Sequence, residues 1–298
     1  MKKPMVEANR LSKLLNHVLA DAERFPVDVQ SLALEYSAQC FPEEPIVKIE
    51  EVDICGFEGV LTRHPTKSKW KIGYHNNLRS EGRIRFTLAH EFGHYLLHRA
   101  LKSSFECTQQ DMHQWDGSEQ EIEVAADTFA SYLLMPLDDF RLQLGTQPIS
   151  IDLLMHLSSR YGVSPMAAAL KWAEIERKRM VVVAARDGFV LWAKSSPSAF
   201  RSGVYLASRK QRIEVPARSL LNEALASDEA RTGTLPANRW FAREPAGMMI
   251  TEHVHVCRGY YPYVLGLLVL PDAAPRWEEP DGELLVPVHR VLLERLQT

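Results

Sequence analysis

The sequence predicts an α+β fold in two parts: a helix-rich domain over residues 1–179 and a second α+β domain over 180–298. Three observations carry this expectation. The stretch 85–98 has helical periodicity and is apolar nearly all round, and short strand-like runs set apart by Gly, Pro and Ser precede it. Beyond a charged run at 174–179 the texture changes to alternating strands with tight turns. A chain of 298 residues, 46% of them hydrophobic, is long enough to bury a real core in each part.

Residues 5–24 place Met5, Ala8, Leu11, Leu15, Val18 and Leu19 close to helical spacing, and after Pro26 a second short helix carries Val29, Leu32, Ala33 and Tyr36. Pro42 and Pro45 break the chain. The runs 46–49, 57–61 and 70–75 then predict a small antiparallel sheet ahead of the central helix. An extended peptide could pair with the 70–74 strand through its main chain. The polar segment 99–117 reads as a loop, with His113 a solvated residue in it. Acidic Ser118-Glu119-Gln120-Glu121 suits a helix start, and that helix should stop at Pro136.

Residues 150–178 predict a helical hairpin around Gly162-Val163-Ser164. Its second helix offers Pro165, Met166 and three alanines where a DNA-reading helix needs Arg, Asn or Gln, so it is expected to be structural. In the second domain, Arg186-Asp187-Gly188 between apolar runs signals a β-hairpin. Helices are expected over 216–230 and 288–296, and strands over 248–256 and 260–270. His253 and His255 share a strand face, and without a third ligand at recognisable spacing they read as solvated.

A net charge of -3 gives no general attraction to nucleic acid or to an anionic membrane. Cys40, Cys55, Cys107 and Cys257 are scattered, which suits buried or free thiols in a reducing cytosol and not a cysteine-bound metal. No apolar h-region follows Met1-Lys2-Lys3-Pro4 and no apolar run is long enough to span a bilayer, so the expected location is cytoplasmic.

On the central helix, Thr87, His90, Glu91, His94 and His98 fall in one arc of about 100°. Buried imidazoles and a buried carboxylate are costly unless hydrogen-bonded, charge-paired or metal-bound. His90-Glu91-Phe92-Gly93-His94 is an H-E-x-x-H sequence, in which two imidazoles one turn apart can face one ion with the glutamate as general base. A catalytic zinc needs a third protein ligand. On the following helix Glu123 and Asp127 lie four apart. Taken alone they are an exposed, mildly repulsive pair; with a cation nearby Glu123 becomes the best third ligand, and Asp127 can hold the tautomer of a ligand histidine.

Arg85 to His98, followed by Glu123-Val124-Ala125-Ala126-Asp127-Thr128-Phe129-Ala130 and Leu133-Leu134-Met135-Pro136, resembles the ImmA/IrrE family of metallo-endopeptidases over about residues 30–175. The resemblance implies a zincin-like fold, His90, His94 and Glu123 as metal ligands, and Glu91 as general base. It implies Zn2+ as the cofactor, with another divalent transition metal left open. The family often has Asn where this chain has Asp127, and the Glu-x-x-x-Asp pair is similar to that of gluzincin peptidases. The expected activity is cleavage of a specific regulatory protein, in that family often a helix-turn-helix repressor controlling stress or mobile-element genes. The C-terminal domain would then sense a signal or dock the target, with a GAF- or PAS-like fold as one reading. The rival function is a non-catalytic, metal-containing regulator that binds a protein or DNA. Tyr95, His98, His113 and nearby arginines stand open as oxyanion stabilisers, and the sequence leaves the oligomeric state open.

Overall fold

A computed structural model describes residues 3–53, 56–78, 80–108, 117–208, 210–224, 231–258 and 262–276. The fold is α+β. Among the described residues, 3–145 with 159–164 form one compact unit, and 146–158 with 165–276 form another.

The first unit opens with α1 (Pro4–Val18), α2 (Asp21–Arg24) and α3 (Val29–Cys40). The Asp28 side chain caps α3 by accepting from the Ser31 amide, which satisfies one otherwise orphaned donor. Three strands follow: β1 (Ile46–Val52), β2 (Phe57–Arg63) and β3 (Trp70–His75). Next come α4 (Glu81–His98), β4 (Ser104–Thr108), α5 (Gly117–Leu134) and α6 (Leu137–Leu144). Glu81 in the first turn of α4 complements the helix dipole, while Pro136 ends the run of α5.

The four strands lie in the order β1-β3-β2-β4. β2 pairs antiparallel with β3 and β4, but β1 runs parallel to β3 from Ile46↔Trp70 to Val52↔His75. The sheet is therefore mixed, which corrects the expected small antiparallel sheet. Alternation of apolar residues decides which face of a strand is buried, not which strand lies beside it. β3 is interior, with both main-chain edges paired, so a peptide cannot add to it as the sequence suggested. The outermost strands among the described residues are β1 and β4, and β4 lies in a segment expected to be loop.

Both long helices bury themselves in this unit. From Thr87 to Leu96, and again at His98, α4 is buried all round, as its apolar pattern requires. Phe92, Tyr95 and Phe129 pack with Trp70, Tyr36 and Phe41 in edge-on and stacked ring pairs. A second cluster joins α6 to the end of α7 (Ile151–Tyr161). There the buried Asp139 carboxylate accepts from Arg160 at 2.7 and 2.8 Å and from the Tyr161 hydroxyl at 2.7 Å, with Phe140 stacked on Tyr161.

α7 and α8 (Pro165–Ile175) flank Gly162, whose φ of 58° is the left-handed conformation that glycine tolerates. In the second unit, β5 (Arg179–Arg186) and β6 (Phe189–Ser195) form the expected hairpin. Asp187 and Gly188 both have positive φ, 52° and 78°, as a two-residue turn of this handedness needs. Then come α9 (Pro197–Arg201), α10 (Leu220–Glu223), β7 (Arg231–Pro236), β8 (Met249–Cys257) and β9 (Tyr263–Leu270), in an antiparallel sheet of order β6-β5-β9-β8-β7.

The helix expected over 216–230 is confined, among the described residues, to α10 and the single residue Ala224 beyond it. Buried Glu252 on β8 explains the late start, since it accepts from the Ser219 hydroxyl and the Leu220 amide, and also from the Trp240 indole. The helix expected at 288–296 lies outside the described residues.

Candidate metal centre

α4 and α5 bring the polar strip and the carboxylate pair together. Gly93 makes the approach possible: a Cβ there would lie 3.0 Å from Phe129 Cδ1 and 3.4 Å from the Cα and carbonyl oxygen of Ala126. With α5 this close, Glu123 sits 3.2 Å from His90 Nε2 through one oxygen and 3.2 Å from His94 Nε2 through the other. The two Nε2 atoms are 2.9 Å apart. Ligands about 2.0–2.1 Å from a tetrahedral zinc are separated by roughly 3.3 Å, so these three groups have nearly the spacing of three corners of such a site.

All three are buried, and among the described residues they are the one group of His, Cys, Asp and Glu that converges closely enough to hold a metal ion. Burial alone would raise the Glu123 carboxyl, but hydrogen bonds and charge from His90 and His94 outweigh it and hold the group well below the usual carboxylate range. An anionic carboxylate facing two imidazole nitrogens is a suitable donor set for a divalent transition metal.

The next layer of contacts differs between the two histidines. His90 Nδ1 lies 2.8 Å from Asp127 Oδ1; when Nε2 faces the cluster as an acceptor, Nδ1–H donates to this carboxylate. His94 Nδ1 lies 3.2 Å from His98 Nδ1. Burial, followed by the charge of His94, pushes the His98 imidazole down to about 3, so it is neutral at ordinary pH. Glu91, fully buried, projects against β2, where Gly59 leaves room: a Cβ there would stand 2.5 Å from Glu91 Oε1 and 2.6 Å from Thr87 Cγ2.

Residues 50–173 match the family model Peptidase_M78, the IrrE N-terminal-like domain. This segment is similar to the IrrE N-terminal-like domain. The resemblance read from the two sequence blocks therefore holds, and with it the zincin-like fold of this part of the chain. The matched family is one of metallopeptidases, and the buried His90, His94 and Glu123 group gives this segment a site able to hold a metal. A search of the curated proteins finds no match to the chain.

Other residues singled out in the sequence stand apart. The Tyr95 hydroxyl donates to the Glu44 carbonyl at 3.0 Å, so its polar end is engaged in packing the helix. His253 and His255 are half-buried on one face of β8, and the His253 ring contacts Thr232 Oγ1 at 3.1 Å. His113 lies outside the described residues. Sequence reasoning missed Phe105 of β4, whose ring stacks on His94 at 4.7 Å and 17°. The strand-like Ser104-Phe105-Glu106-Cys107-Thr108 was the available signal, diluted by the polar residues on either side.

Proposed function

We propose that the protein is a zinc-dependent endopeptidase that cleaves a specific regulatory protein, a helix-turn-helix repressor, in a stress or mobile-element response. The observation that carries this reading is the convergence of His90, His94 and Glu123 inside an IrrE-like domain, with Glu91 next to His90 on the same helix. His90, His94 and Glu123 are the residues that would hold zinc, and the bound ion supplies acidification of a water molecule and polarisation of the scissile carbonyl. Glu91 acts as general base, taking a proton from the attacking water as the carbon–oxygen bond forms. It then passes that proton to the departing amine as the carbon–nitrogen bond breaks. Asp127 fixes the His90 ring by accepting from Nδ1.

β4 replaces β3 as the strand that receives the substrate. It is outermost in its sheet among the described residues, and its Phe105 lies on His94, so a peptide paired along it would pass the donor cluster. Residues 1–179 are taken as the peptidase domain, a boundary supported by the family match running to residue 173. Residues 180–298 are taken as a sensory or target-docking domain, and the five-stranded antiparallel sheet flanked by short helices supports a GAF- or PAS-like reading. A cytoplasmic location is supported by free Cys40 and Cys257. Among the described residues no helix is long and apolar enough to cross a membrane.

The test is incubation of wild-type and Glu91→Gln protein, both zinc-loaded, with the product of an adjacent repressor gene. Wild type should yield a discrete fragment, and Glu91→Gln should keep its zinc and yield none. Equal cleavage by the variant overturns the mechanism; repressor bound but left whole by wild type favours the non-catalytic regulator.

A further inference from the structure

We propose that His98 is the positioning partner of His94, setting its tautomer and ring orientation as Asp127 does for His90. The inference rests on the metal reading above. His94 turns Nε2 toward the donor cluster, 2.9 Å from His90 Nε2 and 3.2 Å from Glu123 Oε1. A neutral imidazole that offers its Nε2 lone pair carries its proton on Nδ1, and that N–H needs an acceptor. The atom it faces is His98 Nδ1, at 3.2 Å. Two protonated nitrogens repel at this distance and two lone pairs gain nothing, so His94 Nδ1–H donates, His98 Nδ1 accepts, and the His98 proton resides on Nε2.

The placement follows from the helix. His94 and His98 are four apart on α4 and share a face, while Asp127 reaches His90 from α5. Phe105 closes the side of the pair, 4.7 Å from the His94 ring and 6.2 Å from that of His98. His98 is fully buried, and its Nε2 meets no hydrogen-bond partner among the described residues. A residue there only to fill space would be better apolar, because a buried donor left unsatisfied is costly. The Nδ1 acceptor is the one feature an apolar side chain cannot supply. His98 is not itself a donor to the cluster, because its Nδ1 faces the far side of the His94 ring from Nε2.

The experiment compares zinc affinity, by competition with a chromophoric chelator, in wild type, His98→Leu and His98→Asn, with thermal unfolding of each metal-free protein. Leucine fills the space without an acceptor, whereas the asparagine Oδ1 stands near the place of the imidazole Nδ1. His98→Leu should bind zinc about 10–100-fold more weakly while its metal-free form melts no lower than wild type, and His98→Asn should recover most of the affinity. Unchanged affinity in His98→Leu overturns the inference, as does an equal loss in both variants that tracks lowered melting of the metal-free proteins. Wild type that takes up no zinc, or His90→Ala that takes up as much as wild type, fails the metal reading itself and removes His98 with it.

Discussion

Replacing Gly93 tests whether the spacing of α4 and α5 is what assembles the donor set. A Cβ at this position meets the end of the Phe129 ring at 3.0 Å and the backbone of Ala126 at 3.4 Å. For Gly93→Ala the ring must retreat by a few tenths of an ångström, and the better helix propensity of alanine, worth about 1 kcal/mol in a helix interior, offsets the strain. That variant should unfold within about 1 kcal/mol of wild type and bind zinc normally. Gly93→Leu is also a good helix former, so propensity does not confound it, but it drives three more carbons toward a backbone that cannot turn aside. Overpacking of this kind costs about 1–3 kcal/mol. In a unit of this size that is roughly 2–12 °C in melting temperature. The strain is relieved by moving α5, which carries Glu123, and a shift of even about 0.5 Å exceeds the tolerance of roughly 0.2 Å on zinc–ligand distances. Zinc affinity, read by chelator competition beside thermal unfolding, should fall at least about tenfold. Gly93→Leu protein that binds zinc as tightly as wild type refutes the claim that helix approach sets the site.

Gly59→Ala puts a Cβ 2.5 Å from Glu91 Oε1 and 2.6 Å from Thr87 Cγ2, so the base must move. Zinc uptake should persist while kcat for target cleavage drops about 100-fold and KM changes little; unaltered kcat would show that Glu91 works from elsewhere. At Asp139 burial would raise the carboxyl, but hydrogen bonds from Arg160 and Tyr161 and the guanidinium charge outweigh it and hold it below its ordinary range. With the folded pKa depressed, its stabilisation is present above the unfolded value of about 3.9 and is lost as pH falls through the folded one. Urea unfolding from about pH 2 to 6 should therefore show a shallower acid slope for Asp139→Asn than for wild type, and parallel curves would contradict this assignment.

The parts of the fold governed by local chemistry were legible in the sequence. The apolar periodicity of 85–98 announced a buried helix, Pro136 marked the end of α5, and Asp187-Gly188 announced the β5–β6 turn. What depends on neighbours distant in sequence was not. The parallel pairing of β1 with β3 is a matter of strand order, to which the alternating pattern is blind. β4 was hidden in polar surroundings, and with it Phe105 on the flank of His94. The late start of α10 was illegible because nothing local reveals that Glu252, some thirty residues on, takes the Ser219 hydroxyl and the Leu220 amide. The site divides in the same way. His90, Glu91 and His94 stand together in one motif, and Glu123 with Asp127 was recognisable as a pair once a cation was considered. Gly59 and Gly93 act by lacking a side chain, so their meaning emerges only when the opposing atoms are in place.

The most direct test of the central claim is a crystal structure of protein purified without chelator, with diffraction recorded on both sides of the zinc absorption edge. The expected result is one anomalous peak per chain, about 2.0–2.2 Å from His90 Nε2, His94 Nε2 and a Glu123 carboxylate oxygen. A peak bound by other residues, or no peak from protein that cleaves its target, contradicts it.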